Sequence, residues 1–589
     1  MNALRIASVF FALVSQAAQA APPAVDDVII VTATRSEISV NDAIVPVTVI
    51  NRDTIEQSVA GDLADLLRFE AGLDIGRNGG PGQATSLFLR GTESNHTLVL
   101  IDGVRMNPGT IGGAALQNIA PDVIERIEIV KGGRSSLYGT DAIGGVVNII
   151  TRRAEDGYAE AGVGAGSFDT RSAFTSIGAD TGHGEFGVTV NREVTDGYAI
   201  RTDSDLARGY DNLSVNLYAS RDIGAAKLSL RHWRASGTSE YLDFFLAPVD
   251  QDFRNETSAL EVSNPVGERG HSKLLLSYAV DDIAQNQAAD FVTSERIALD
   301  WQYSHRLAAH ALAGGVYVTD ESARVLSFGS GFDENTDTRA VFLQDNYVNG
   351  RQRAFLAARY TDHESFGGEF TWNAEYAVDL GERWVLAGGL GHAFRAPDAT
   401  DRFGFGGNPD LRPEASDEMQ LSARFDATPR QTLRLELYRN DIEDLIEFDI
   451  NDFLLKNVSD AEIRGAKLGW EFRGDDLDLA LDLRAQRAED ANDGSRLLRR
   501  PERSVTLRLN RHFGEHALGV ALLASSERDD VAETLPGYVL VNLTGQVKLG
   551  EHWQLNARLE NLLDRAYQTA APYRMPARSG FVELKYRWQ

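Results

Sequence analysis

The 589-residue chain has no cysteine. That removes disulfides, thiolate metal sites and cysteine nucleophiles together, and leaves the redox compartment undetermined. Positive charge is also scarce: 58 Lys and Arg stand against 86 Asp and Glu, a net charge of −28 with a pI near 4.8. Phosphate contacts need a basic surface, so a nucleic-acid-binding role is disfavoured. Beyond the first twenty residues no run of about 18 apolar residues occurs, which excludes a helical membrane protein. A mean hydropathy of −0.25 does not exclude a β-barrel, whose strands alternate apolar and polar and average out. What the chain does have is 43% hydrophobic residues, enough for sizeable cores, so it folds.

Residues 1–20 carry a positive start ending at Arg5, an apolar stretch from Ile6 to Val14, and the small-residue site Ala18-Gln19-Ala20. This is the pattern of a secretory signal peptide, with the mature chain beginning at Ala21.

The remainder changes texture near Arg153. Before it, short β-rich runs (Val45 to Ile50, Thr97 to Ile101), a helical stretch near Asp62 to Phe69 and many glycines indicate a compact mixed domain. After it, alternating segments are divided by loops rich in Gly, Asp and Asn. Leu477 to Arg484 places four leucines on one face, Thr432 to Tyr438 and Val505 to Asn510 repeat the pattern, and Val582 to Trp588 separates Val, Leu, Tyr and Trp from Glu, Lys and Arg. A soluble sandwich also alternates. Here, however, charges such as Asp478, Asp482, Arg434, Glu436, Arg508 and Lys548 oppose the leucines strand after strand, over a region of 436 residues (154–589). At about 20 residues per strand and turn this length yields about 22 strands, the size of a plugged barrel. The expected fold is an all-β membrane protein: an approximately 22-stranded transmembrane β-barrel (154–589), an N-terminal α+β plug in its lumen (35–153), and a short mature N-terminus (21–34).

These segments carry motifs. In the first domain they are Asp27-Val-Ile-Ile-Val-Thr-Ala33, Leu89-Arg-Gly91, Leu98 to Arg105, Ile124 to Gly132 and Tyr138 to Ile150; in the second, Phe394-Arg-Ala-Pro397, Asn408 to Glu414, Tyr438 to Ile442 and Asn561 to Tyr567. In order and number they resemble the TonB-dependent outer-membrane receptors, and most closely their cobalamin (vitamin B12) branch. The resemblance implies no enzyme activity but active import, through a barrel in outer-membrane lipid, of a scarce ligand, driven by the periplasm-spanning TonB protein and its inner-membrane energising complex, with the receptor acting as a monomer. A passive porin would not need the plug, and no localised Ser-His constellation supports an outer-membrane hydrolase.

Asp27, Val28, Ile29, Ile30, Val31, Thr32 and Ala33 form a β-branched run near the inferred mature terminus, suited to pairing as an added strand with TonB. Its nearness to that terminus leaves no room for an extra signalling domain, so transport without transcriptional signalling is expected. Arg90 and Arg105 are expected at the plug–barrel boundary, paired to acidic residues of the barrel, because bare guanidinium groups there are costly. The glycines of Lys131-Gly-Gly133 and Gly144-Gly145 lack the G-x-x-x-x-G-K-[ST] spacing of a nucleotide loop.

The ligand reading rests on the resemblance. Arg77 to Gln83 and Thr85 to Thr92 are similar to an apical plug loop of the cobalamin branch, with Ser86 on a ligand-contacting serine and Arg499 or Arg500 on a ligand-facing arginine. The candidate ligand residues are Thr85, Ser86, Glu93, Ile111, Gly112, Arg499 and Arg500. Glu93 stands where that branch has asparagine, Ala84 replaces a larger apolar residue and Ile111-Gly112 replaces an apolar-serine pair, so a corrinoid variant or a related tetrapyrrole-like or metal-chelate ligand stays open, with a ferric siderophore as the alternative. Haem is disfavoured because Asp398 to Gly407 contains no histidine and His392 lies outside the matching position. The branch orders two external loops with calcium, which takes six to eight oxygens; Asp203, Asp205, Asp211 and Asp243 are the candidate Ca2+ ligands, against a reading as solvated loop charge.

Overall fold

The computed structural model describes residues 29, 30, 32–70, 72–153, 157–449, 452–531 and 533–588. The leader assigned to 1–20 lies outside them, as do Asp27, Val28 and Val31 of the segment assigned to TonB.

Twenty-two antiparallel strands close a barrel, from Tyr158–Gly166 to Ser579–Trp588, and these two pair with each other to complete the ring. The first barrel strand begins and the last ends at the same rim. Connections there are tight turns such as 224–225, 308–309 and 429–430, while the opposite rim carries the long connections 396–413, 491–502 and 561–578. Short turns face the periplasm and long loops the exterior in this class of barrel, which orients the molecule.

The alternation predicted from the leucines is the inside-outside alternation of the wall. Leu435 is 41% exposed while the adjacent Glu436 is 5% exposed, because one points to lipid and the other into the filled lumen. Aromatic side chains gather at the periplasmic rim, where Trp384 stacks on Phe425 and Tyr586 packs edge-on against both Trp553 and Trp588. Amphipathic rings at the headgroup level form the girdle expected of a membrane barrel.

The plug fills the lumen. Its five-stranded sheet runs Val47–Ile50, Ile124–Lys131, Gly145–Thr151, Thr97–Ile101 and Val104–Arg105, with Thr97–Ile101 and Gly145–Thr151 parallel. The continuous apolar run Leu98 to Ile101 follows from that placement, since a strand covered on both faces needs no polar side. Helices Arg52–Ser58 and Leu63–Leu67 cover the sheet, capped by Asn51 (accepting from the Thr54 N–H, 3.0 Å) and Asp62 (accepting from the Asp65 N–H, 2.9 Å). Ile55, Leu63, Leu67, Val99, Ile127, Ile129 and Val147 are buried in one cluster, each worth about 1.5–3 kcal/mol of transfer free energy.

Polar contacts join plug to barrel. Arg90 donates to Glu418 (3.0 Å), Gln420 (3.0 Å) and Glu436 (3.3 Å), as its expected boundary role requires. Arg134 meets Glu375 at 2.5 Å, Arg484 of the barrel holds Asp74 of the plug through two bonds of 2.6 and 2.7 Å, and Arg508 pairs with Glu70. Arg105 departs from expectation: its carboxylate partner is Asp141, within the plug. The short strand Val104–Arg105 sets its side chain toward the loop that follows Tyr138, where Asp141 and the Thr140 carbonyl are in reach.

Candidate functional site

The outward face of the plug is built from two loops. The first joins the hairpin strands Leu73–Arg77 and Thr85–Leu89. It is fastened to the wall: Gln83 Nε2 donates to the Glu240 carbonyl (2.7 Å), Ser239 Oγ donates to the Gly82 carbonyl (3.0 Å), and the Arg77 N–H donates to Thr569 Oγ1 (3.0 Å). Gly82 sits at φ +73°, and a Cβ there would lie 2.1 Å from the Tyr210 ring, so only glycine lets the loop approach this closely. Thr85 is buried and turned to the Gln83 carbonyl, while Ser86 is half-buried in the same strand.

The second loop spans Asn107 to Gly113. An external helix, Ala399–Phe403, clasps it through the Ala399 N–H to the Gly109 carbonyl (2.9 Å) and the Thr400 N–H to the Thr110 carbonyl (3.0 Å). The Gly109 N–H donates to Glu321 Oε1 at 2.7 Å. Ile111 projects outward, 47% exposed, beside buried Gly112 at φ +65°.

Beside the second loop lies a hub that the motifs carried without disclosing its role. Arg395, of Phe394-Arg-Ala-Pro397, is buried and bonds Glu414 (2.9 Å), Asp398 (3.0 Å) and Asp401 (2.5 Å), which seats the clasping helix. Glu414 also meets His96 Nε2 at 2.9 Å, tying the turn Glu93–His96 of the plug to the same point. Glu93 binds Arg500 at 2.5 Å; burial pushes its carboxyl up, but the charges of Arg500 and His96 outweigh this and hold it below the usual range. Arg500 also donates to the Gly91 carbonyl (3.2 Å) and lies over the Phe88 ring. Arg499 pairs with Asp530 at 3.0 Å. The structure therefore brings Glu93 and Arg500 together and places Thr85 and Ser86 in the hairpin they brace, with Ile111 and Gly112 on the neighbouring loop. Arg499 runs beside Gly76 of the hairpin while its guanidinium pairs with Asp530 of a barrel loop.

The four aspartates expected to gather calcium stand apart. Asp203 receives two bonds from Arg201 (2.8 and 2.7 Å), Asp211 pairs with Arg192 (2.7 Å), Asp205 lies 3.8 Å from Arg574, and Asp243 accepts the Phe245 and Ala247 N–H groups of its own turn. The cause is the path of loop 200–206, which bonds to the last long loop through the Thr202 N–H to Pro572 carbonyl (3.0 Å) and the Arg574 N–H to Ile200 carbonyl (2.8 Å). That fastens the loop carrying Asp203 and Asp205 to residues 572–574. Among the described residues no group of three or more His, Cys, Asp and Glu is gathered as a metal ion would require.

At the N-terminal end, Ile29–Ile30 pairs with Ile38–Ser39, Thr32 is buried with its hydroxyl on Glu128 (2.6 Å), and Ala33 is buried against Val45 and Val130.

Comparison with known proteins places this architecture. Residues 150–562 match the family described as TonB dependent receptor-like, beta-barrel, and residues 39–146 match the TonB-dependent Receptor Plug Domain. The chain belongs to the TonB-dependent receptors and is an outer-membrane transporter of that family. It is 29% identical over 602 residues to the vitamin B12 transporter BtuB of Photobacterium profundum, covering 97% of both chains, and 28% identical over 590 residues to that of Vibrio vulnificus, covering 96% of both. The ferric enterobactin receptor PfeA of Pseudomonas aeruginosa superposes with a TM-score of 0.81 at 18% identity, over 95% of this chain and 100% of that one. At that identity the likeness is one of fold alone.

Proposed function

We propose that this chain imports cobalamin or a closely related corrinoid, acting as a monomer, with energy delivered by TonB through the segment Asp27 to Ala33. The observation that carries the ligand reading is the identity, over nearly the whole length, to two relatives named as vitamin B12 transporters. The apex supports it: Thr85, Ser86, Ile111 and the neighbouring glycines offer short polar and modest apolar surface, and Arg499 and Arg500 each have a carboxylate partner. A bulky, amide-rimmed ligand suits such a surface, whereas an anionic ferric catecholate favours unmatched positive charge.

Equilibrium binding of cyanocobalamin to the purified protein tests the reading, with saturation at or below micromolar ligand expected. No binding at micromolar ligand, with or without calcium, rejects the corrinoid assignment. Uptake by cells should also stop when the inner-membrane proton gradient is collapsed.

A further inference from the structure

Two cavities lie between plug and barrel along the wall formed by the strands from Gly270–Gln285 to Gln352–His363. The outer sits under the clasping helix and is bordered by Glu334, Thr338 and His363; the inner reaches Arg35, Lys273 and Gln302 toward the periplasm. Arg105, Tyr138, Arg296, Tyr317 and Arg359 line both. This waist thus presents three guanidinium groups; the carboxylates are Asp102 and Asp300 in the inner cavity, where Asp300 is paired with Arg35, and Asp141, Glu321, Glu334 and Asp398 in the outer.

Two of the three are compensated from its margins. Arg105 pairs with Asp141, and Arg296 binds Glu321 (2.5 Å) and the Asn107 carbonyl (2.7 Å). Arg359 is different. It is 2% exposed, its Nε donates to Thr361 Oγ1 (2.9 Å), and its guanidinium lies 5.3 Å from the centre of the Tyr317 ring. Among the described residues no carboxylate lies within ion-pair distance of it. Elsewhere at the plug boundary Arg484, Arg500 and Arg508 each meet a plug carboxylate, so Arg359 is an exception to how this lumen treats buried charge. An uncompensated buried guanidinium is costly, and the crowding is felt nearby: burial first, and the Arg296 charge next, pull Arg105 down to about 10.

We propose that the waist is an oxyanion-binding site, in which Arg359, with Arg105 and Arg296 beside it, takes a phosphate or carboxylate group, free in solution or carried on a ligand passing between plug and wall. A planar guanidinium fork matches two oxyanion oxygens and supplies the missing counter-charge.

The absence of native cysteine makes a single introduced thiol a unique probe. Thr338→Cys places one in the outer cavity, and Ser330→Cys serves as a control at the external rim. The ratio of labelling rates by an anionic sulfonatoethyl and a cationic trimethylammonioethyl methanethiosulfonate should be several-fold higher at Thr338→Cys than at the control. It should fall to the control value with Arg359→Gln and survive Arg359→Lys, which keeps the charge. Millimolar inorganic phosphate should slow the anionic reagent at this site. A ratio equal to the control, a preference that persists in a folded Arg359→Gln protein, or no labelling by either reagent overturns the proposal. A second arm rests on the corrinoid reading: protection by cyanocobalamin, which bears a phosphodiester, but not by cobinamide, which lacks it, assigns the oxyanion to the ligand, and equal effects assign it to free anions. Absence of cyanocobalamin binding to the unmodified protein would reject that reading alone and leave the reagent ratios to decide the site.

Discussion

Single side chains decide how the apex is held. Gly82 is the clearest case, because its positive φ and the 2.1 Å that would separate a Cβ from the Tyr210 ring leave no space for a side chain. Gly82→Ala should displace the first apical loop and weaken cyanocobalamin binding about tenfold or more, ~1.4 kcal/mol, with the thermal midpoint of the barrel little changed; titration and a melting curve check both. The buried pair Arg484–Asp74 gives a second prediction. Arg484→Met leaves Asp74 buried without its partner and should destabilise the docked plug by about 3–5 kcal/mol, read as protease sensitivity in rising urea, while Arg484→Met combined with Asp74→Leu should recover much of the loss. At this scale the sequence was partly legible. Arg90 could be read as a boundary residue because its motif and the cost of bare charge agree, whereas Arg105 could not be distinguished from it, since only the local turn after Tyr138 brings Asp141 into reach. The partners of Arg499 and Arg500 lie far away in sequence or in another loop, so no spacing reveals them.

Among the elements, the N-terminal strand and the external loops are where the proposed function can be tested. Ile29–Ile30 is held by a two-residue pairing, short enough to be exchanged for pairing with another chain. Proline removes a backbone donor, so Ile29→Pro should abolish energy-dependent uptake of cyanocobalamin and leave its equilibrium affinity nearly unchanged. Normal uptake by the variant would show that TonB pairs elsewhere. The loops lead to the opposite expectation from the aspartate count: with Asp203, Asp211 and Asp243 engaged by Arg201, Arg192 and a turn of backbone, EDTA should leave cyanocobalamin affinity within about twofold, as should Asp203→Ala. Strand existence was legible from a period of two, because lipid on one side and a polar filled lumen on the other impose it on every strand. Loop course was not, since the bonds from Thr202 and Arg574 that turn loop 200–206 aside are backbone contacts without a sequence signature.

For the whole molecule, charge is divided unevenly. Residues 154–589 hold 70 acidic and 46 basic side chains, a net of −24, whereas residues 35–153 hold 14 acidic and 11 basic, a net of −3. The plug's apolar core extends onto Tyr210, Trp233 and Phe253 of the wall, and Leu137, Ile143 and Val104 make smaller apolar contacts, but ion pairs and hydrogen bonds join plug to wall over the rest, leaving an inner face that is polar in large part once the plug is gone. The barrel is closed by strand pairing between Tyr158–Gly166 and Ser579–Trp588. Deletion of residues 35–153 should therefore yield a barrel that still inserts and conducts as a wide pore in planar bilayers. With acidic rims and with Glu375, Glu414, Glu418 and Glu436 released from their plug partners, that pore should select for cations. Under a tenfold KCl gradient the reversal potential should take the sign of K⁺ permeation and shrink as total salt rises, because screening shortens the reach of the wall charges. A reversal potential at zero or of anion sign would mean that lumen arginines such as Arg296, Arg359 and Arg484, and not the net charge of the barrel, govern ion passage.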